Sequence, residues 1–286
     1  MKCEGMNFQA FDIPYTNLTA KSKGTSPHFR QLQNVKKRPR SEPNDRLFCN
    51  KICMKYLFIF FPLYFFFSGI ALSQDRYQYR DGDINGIGKW YMGREIAYVM
   101  SHYGISWLER PEREKEERVT LLLKNLALRP GMVVADIGAG SGYHAVRMSK
   151  MVGDGKIYAV DVEPQMIAYL DKRIKDEGYL NIKTVLGKEQ SVNLPPASTD
   201  VMLLVDVYHE LSFPYEMARS MMEALKPGGK LFLVEYKAED NTVPIKEVHK
   251  MTQKQAVKEL KAGGFIFVKN IGNLPWQHCL VFKKPE

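Results

Sequence analysis

Short apolar segments alternate with amphipathic segments along residues 133–282. The apolar segments are four or five residues long, which is typical of strands buried on both faces. They cover residues 133–137, 156–160, 182–186, 201–205, 230–234, 265–269 and 279–282. Between them apolar residues recur with the period of a helix, as from Met166 to Ile174 before Gly178. This alternation predicts an α/β fold with a parallel sheet covered by helices on both faces.

Two stretches outside this alternation carry weaker patterns. Residues 75–90 are polar and rich in glycine, which predicts a loop. Residues 112–128 predict a helix, because apolar residues follow Val119 at the third, fourth and seventh positions. Near the C-terminus, Thr252 and Gln255 have the spacing of a capping box and predict the start of another helix.

Residues 57–72 form an uncharged run of 16 residues. A spanning helix needs about 20 apolar residues, whereas the apolar part of a signal peptide has about 7–15. A lysine precedes the run and small residues two apart follow it, so residues 54–73 form a complete signal peptide. We therefore expect the chain to start at Met54 and residues 74–286 to be exported. The alternatives are an uncleaved membrane anchor with residues 1–53 on the cytoplasmic side, and a misinterpreted signal with a cytoplasmic enzyme.

The net charge of +9 is concentrated at the N-terminus. Residues 1–73 carry 11 Lys and Arg against 4 Asp and Glu, and residues 74–286 carry 30 against 28. Residues 1–53 lack apolar periodicity and are predicted to be disordered. The nearly neutral remainder, predicted to be one domain, gives no electrostatic reason to expect nucleic acid as a partner. Cys49 and Cys53 have no histidine or further cysteine nearby, so no metal site is predicted.

A glycine-rich turn follows the first predicted strand of the sheet. Gly138, Gly140 and Gly142 would let the backbone approach a ligand at the start of a helix. Asp161 ends the second strand, 23 positions after Gly138, where an acidic residue can accept both hydroxyls of a ribose. A dinucleotide fingerprint would need glycine where Tyr143 stands. The pattern therefore predicts a nucleoside-bearing ligand and disfavours a dinucleotide.

Three separate runs resemble one family. Residues 134–142, Val-Ala-Asp-Ile-Gly-Ala-Gly-Ser-Gly, resemble motif I of the class I S-adenosylmethionine-dependent methyltransferases. Residues 200–210 resemble the fourth-strand motif of that family, and residues 225–235, which begin Leu-Lys-Pro-Gly-Gly, resemble its turn into the fifth strand. The resemblance covers roughly residues 90–286. It implies a doubly wound, Rossmann-like sheet of seven strands, mostly parallel with an antiparallel last strand, and a helical lid over residues 90–130.

The resemblance implies S-adenosylmethionine as cofactor and gives candidate contacts to it. These are Asp136, Gly138, Gly140, Gly142, Asp161, Val162, Glu189 and Asp206. In the family, Asp161 would hold the ribose hydroxyls and Val162 would pack on the adenine. Glu189 stands one place later than the acidic residue that often binds the adenine amino group. Asp206 would face the amino end of the cofactor beside the methyl group.

The predicted chemistry is an in-line displacement at an activated methyl carbon, for which positioning and desolvation matter most. A general base is needed only if the acceptor loses a proton. His209 and Glu210, just after the fourth strand, are the candidates for the acceptor side, although a structural role for His209 stays open. We expect transfer to a small-molecule acceptor. The alternatives are an exported binding protein without catalytic activity and an NAD(P)-dependent oxidoreductase.

Overall fold

The computed structural model describes residues 76–286, and the predictions for residues 1–73 lie outside this part of the chain. A seven-stranded sheet forms its centre. Its strands are β4 (Val133–Ile137), β5 (Lys156–Asp161), β6 (Ile182–Leu186), β7 (Thr199–Val205), β8 (Leu225–Tyr236), β9 (Ile266–Asn270) and β10 (Gln277–Lys283). All seven predicted strands are present. The largest difference is that β8 starts five residues earlier than predicted, while β7 and β10 each start two earlier.

The strand order across the sheet is β6-β5-β4-β7-β8-β10-β9. β4 pairs in parallel with both β5 and β7, and β8 extends this parallel set. β10 is antiparallel to both β8 and β9, its two neighbours. The predicted Rossmann-like sheet with an antiparallel last strand is therefore confirmed. From β4 the chain adds β5 and β6 on one side of the sheet and then β7 and β8 on the other. Such a change of side leaves a crevice at the carboxyl ends of the strands.

Two hydrophobic clusters lie on opposite faces of the sheet. Successive strand residues alternate between them, so that Val134 belongs to one cluster and Ala135 to the other. The first cluster also contains residues of helices α4 (Ala145–Val152) and α5 (Pro164–Glu177). The second contains residues of helices α6 (Pro214–Ala224) and α7 (Gln253–Ala262). Both faces are covered, which is why the central strands are mostly apolar on both faces.

The prediction of a loop over residues 75–90 is wrong. This stretch contains β1 (Tyr77–Tyr79) and β2 (Gly86–Tyr91), which form an antiparallel sheet with β3 (Arg94–Ala97). The buried carboxylate of Glu95 organises the intervening turn, since it accepts hydrogen bonds from the backbone N–H groups of Asp83 at 2.7 Å and Gly88 at 3.0 Å. A side chain at Gly82 or Gly86 would overlap Glu95. Gly82 and Gly86 therefore lack side chains because the Glu95 carboxylate occupies that space.

The helix predicted over residues 112–128 is two helices, α2 (Arg113–Glu117) and α3 (Val119–Asn125). Arg118 separates them in the left-handed conformation, with φ of 53°. With the short helix α1 (Ile105–Leu108) and β3, they form the segment for which a helical lid was predicted, so that segment is only partly helical. No helix in the part of the chain from residue 76 onward is long and apolar enough to cross a membrane.

Candidate active site

A cavity of about 480 Å³ lies at the carboxyl ends of β4, β5 and β7. The turns after these strands form its floor, as expected for ligand sites in sheets of this kind. Trp107 and Leu108 of α1, together with Arg113 of α2, line its outer side. Of the ten residues proposed from sequence as cofactor or catalytic residues, nine line this cavity. They are Asp136, Gly138, Gly140, Asp161, Val162, Glu189, Asp206, His209 and Glu210.

The glycine turn is held against β5 by its own backbone. The N–H groups of Gly138 and Ala139 both donate to the Val160 carbonyl, at 2.8 and 2.9 Å. Gly138 has φ of 70°, and a Cβ there would lie 2.5 Å from the Val207 side chain. Gly140 likewise has positive φ, and a Cβ on it would lie 2.7 Å from Leu108. The turn therefore exposes bare backbone to the cavity at both positions.

Gly142 is the one residue of the predicted set that does not line the cavity. A Cβ at this position would overlap the side chain of Leu170 on α5. Its φ of 81° also favours glycine. The close approach predicted between Gly142 and the cofactor is therefore corrected to a close approach between the turn and α5.

Asp161 is fixed in the crevice by two backbone groups. Its carboxylate accepts hydrogen bonds from the N–H of Gly140 at 2.9 Å and from the N–H of Glu163 at 3.0 Å. The residue is partly buried and lines the cavity, which leaves lone pairs for a diol. Burial raises the pKa of its carboxyl, and the two N–H donors oppose that change. Val162, 38% exposed, and Glu189 lie at the same end of the cavity.

Asp136 and Asp206 each bring a buried carboxylate oxygen to the cavity. Within residues 76–286, Asp136 Oδ2 and Asp206 Oδ1 have no hydrogen-bond partner. Burial raises the pKa of Asp136 to about 7 and that of Asp206 well above its usual range, and the nearby Arg113 guanidinium opposes both shifts. Gln277 donates to the other oxygen of Asp206 at 2.8 Å. Partnerless buried carboxylates fit a cationic ligand, and S-adenosylmethionine carries both an ammonium and a sulfonium.

A network of buried charges in the lid was not predicted. Glu117 accepts hydrogen bonds from Arg110 at 2.7 Å, from Arg113 at 2.7 Å and from the Tyr236 hydroxyl at 3.2 Å. All four residues line the cavity. In the sequence Arg110, Arg113 and Glu117 belong to a run of alternating charges that is typical of a solvated helix, whereas Tyr236 ends β8. The only available signal was the combination of arginines and glutamates at helical spacing, which does not distinguish buried from exposed pairs.

His209 and Glu210 lie at the other end of the cavity, in the short 3-10 turn after β7. His209 Nδ1 lies 2.6 Å from a carboxylate oxygen of Glu235, and its Nε2 lies 3.1 Å from Nδ1 of His249. The backbone N–H of Met100 donates to Glu210 at 3.2 Å. Burial lowers the pKa of His209 to about 3 and raises that of Glu210, so His209 is a neutral imidazole near neutral pH.

His249 also lines the cavity and is a candidate that sequence reasoning missed. It lies 40 residues after His209 in the connection between β8 and α7, inside no recognisable motif. Burial lowers its pKa to about 3 as well. Only the path of this connection across the strand ends brings the two imidazoles together.

Comparison with known proteins identifies relatives over the same region. A family profile described as "Methyltransferase domain" matches residues 134–229. Protein-L-isoaspartate O-methyltransferase from Pyrococcus horikoshii is 29% identical over 171 residues, which cover 56% of this chain and 68% of the relative. Ubiquinone/menaquinone biosynthesis C-methyltransferase UbiE from Shewanella sediminis is 28% identical over 116 residues, which cover 40% of this chain and 46% of the relative.

The solved structure of a SAM dependent methyltransferase from Aquifex aeolicus has the same fold. It superposes with a TM-score of 0.62 at 24% identity, over 65% of this chain and 100% of that chain. The matched family region begins in β4 and ends in β8, so it contains the glycine turn, Asp161 and the turn with His209 and Glu210. These findings favour methyl transfer over an oxidoreductase or a binding protein without activity. This chain is therefore similar to methyltransferases over the region that contains the cavity, and it has the fold of a SAM dependent methyltransferase.

Proposed function

We propose that the enzyme transfers the methyl group to a small-molecule acceptor bound beside His209 and Glu210. The observation that carries this proposal is the continuity of one cavity from the glycine turn to these two residues. Asp161 and the bare backbone of the turn occupy the end suited to the cofactor. The opposite end, walled by Met100, His209 and Glu210, remains for the acceptor. The whole cavity, of about 480 Å³, is within the size range of small-molecule sites.

The cofactor supplies a methyl carbon that is already activated by the positive sulfur. The protein therefore has to bind, orient and exclude water. Asp161 and Glu189 would hold the nucleoside, and Val162 would cover one face of the adenine. Asp136 and Asp206 would hold the amino end, so that the methyl group points along the cavity toward His209. An acceptor placed there would attack in line, opposite to the carbon–sulfur bond that breaks.

Contacts between the lid and the sheet domain support a small acceptor over a protein acceptor. Glu109, just after α1, accepts hydrogen bonds from the Ser141 hydroxyl at 2.5 Å and from Arg173 at 2.6 Å. These bonds join the lid to the glycine turn and to α5, beside the cavity that Trp107 and Leu108 line. The names of the relatives alone do not decide the acceptor, because one names isoaspartate in proteins and the other a step of quinone biosynthesis.

Calorimetric titration of the full chain with S-adenosylmethionine tests the cofactor site. Asp161→Ala is expected to weaken binding about 10- to 100-fold, since hydrogen bonds to charged groups contribute about 1.5–3 kcal/mol. Asp176→Ala is the matched control, because Asp176 pairs only with Lys172 on the exposed side of α5. Equal affinities of the wild type and Asp161→Ala would refute the placement of the ribose.

The acceptor class is tested by supplying labelled methyl donor with either a metabolite extract or an isoaspartyl peptide. We expect label in the metabolite fraction, dependent on Asp161. Label transferred only to the peptide would contradict the proposal and favour a protein acceptor.

We also propose that residues 74–286 are exported after cleavage of residues 54–73. Support comes from the uncharged run at 57–72 and its flanking residues, which lie outside the part of the chain that the structure describes. N-terminal sequencing of the protein isolated from its native cells should give a chain that begins near Gln74. A start at Met1 or Met54 would reject cleavage.

A further inference from the structure

Three side chains from two distant segments converge at the acceptor end of the cavity. His209 and Glu210 belong to the turn after β7, and His249 belongs to a 3-10 turn between β8 and α7. His209 Nε2 lies 3.1 Å from His249 Nδ1, and Glu210 Oε1 lies 3.8 Å and 3.7 Å from these two nitrogens. Among residues 76–286 this is the one group of three such ligands close enough to share an ion.

The dimensions of this triangle match metal coordination. A point equidistant from the three atoms lies about 2.1 Å from each, and zinc binds imidazole nitrogen at about 2.0–2.1 Å and carboxylate oxygen at about 2.0–2.2 Å. The separations of the three atoms therefore already suit an ion at this point. Two imidazoles and one carboxylate are also a ligand set of catalytic zinc and iron sites that keep coordination positions open.

The surroundings of the ligands give independent support. Glu235 is fully buried, contacts His209 Nδ1 at 2.6 Å and accepts the backbone N–H of Tyr208 at 2.8 Å. A carboxylate on the far nitrogen directs the proton of His209 to Nδ1 and leaves the Nε2 lone pair facing His249. The Met100 N–H similarly fixes one oxygen of Glu210, so that the other faces the two imidazoles. Metal-binding histidines commonly have such a carboxylate partner.

We propose that His209, Glu210 and His249 bind a divalent transition-metal ion of the Zn²⁺ class, with at least one coordination position open to the cavity. This goes beyond the sequence-based prediction of no metal site. The open position lies where the proposed function places the acceptor, and this part of the inference rests on that function. An oxygen or sulfur of the acceptor bound to the ion would lose its proton to solvent more readily. Its lone pair then forms the bond to the methyl carbon while the carbon–sulfur bond breaks onto sulfur.

Metal binding is measured directly on the full chain, purified without a histidine tag and stripped with a chelator. Titration with Zn²⁺ by calorimetry and with Co²⁺ by visible absorption reports binding without any methyl transfer. We expect His249→Ala and Glu210→Gln each to weaken the binding of Zn²⁺ more than about 100-fold and to remove the Co²⁺ absorption of the site. Glu235→Gln should weaken it about 10- to 100-fold, as for other groups that position a metal ligand.

His278→Ala is the matched control, because His278 is a buried histidine paired with Glu239 away from the cavity. The affinity of the His278→Ala variant for Zn²⁺ should equal that of the wild type. Wild-type Zn²⁺ binding that His249→Ala leaves unchanged would overturn the proposal, and so would a wild-type chain that binds S-adenosylmethionine but no Zn²⁺. In either case the contact between His209 and His249 would be only a hydrogen bond between imidazoles. Zn²⁺ binding without S-adenosylmethionine binding would leave the metal site standing and refute the cofactor site.

Discussion

Two glycines with nearly the same backbone geometry should respond differently to substitution. Gly138 in the cavity turn and Gly178 after α5 have φ of 70° and 71°. A Cβ at Gly178 meets nothing within 4 Å, whereas one at Gly138 meets both methyl groups of Val207. Valine is stiff about its first side-chain torsion and is poorly able to turn away.

We therefore expect Gly178→Ala to lower the free energy of unfolding by about 1 kcal/mol, the cost of the left-handed conformation. Gly138→Ala should lower it by a further 1–3 kcal/mol, about the cost of overpacking. Chemical denaturation of the two variants measures the difference. Equal losses would show that Val207 yields and that the turn tolerates a side chain.

The pH dependence of stability should report on Asp136. Its pKa of about 7 in the folded protein lies above the ordinary value of 3.8. The folded state therefore holds this proton more tightly, and the associated stability is complete below the ordinary pKa and lost as the pH rises through 7. Asp136→Asn removes the titration and keeps the shape of the side chain.

Between pH 8 and pH 5.5, the wild type should consequently gain about 2 kcal/mol of unfolding free energy relative to Asp136→Asn, since one pH unit corresponds to about 1.4 kcal/mol. Denaturant unfolding of both proteins without cofactor at the two pH values measures this gain. A constant difference between them would mean that Asp136 is ionised throughout the range.

At the scale of elements, the start of α7 depends on one side-chain hydrogen bond. Thr252 Oγ1 accepts the backbone N–H of Gln255 at 3.1 Å, as the capping pattern predicts. The return bond of a full capping box is not made, because the Gln255 amide instead contacts Met92 and Glu259. Thr252→Ala should lower the free energy of unfolding by about 1 kcal/mol. Thr252→Ser should keep nearly the stability of the wild type, because serine also accepts the hydrogen bond. Equal stability of the alanine and serine variants would show that the cap contributes nothing.

The remaining elements differ in how well their patterns predict them. Strands such as Val133–Ile137 are recognisable because both of their faces are buried, so they are apolar at nearly every position. The sheet of residues 77–97 is not recognisable, since its turn depends on Glu95, a residue outside the glycine-rich stretch. The break at Arg118 is similarly invisible, because the left-handed residue there is an arginine and not a glycine that would indicate a helix end.

At the scale of the whole molecule, a cofactor in the cavity would contact both the strand ends and the lid, since both line it. S-Adenosylmethionine at 100 times its dissociation constant should stabilise the folded chain by about 2.7 kcal/mol. For a folded region of this size the corresponding shift of the melting temperature is about 5–10 °C. Thermal unfolding with and without cofactor measures it, and Asp161→Ala should show a much smaller shift at the same concentration. No shift in the wild type would contradict binding to the folded state.

The sequence by itself determined the sheet, the glycine turn and the position of Asp161. Each of these depends on local requirements, namely apolar strands of a given length and a backbone that only glycine adopts at Gly138. Tertiary structure alone decided that Gly142 packs on α5 and that the lid arginines are buried with Glu117. It also decided the proximity of His209 and His249. Gly142 and Leu170, His209 and His249, and Glu117 and Tyr236 are far apart in the chain. No periodicity or spacing along a sequence records that such residues meet in space.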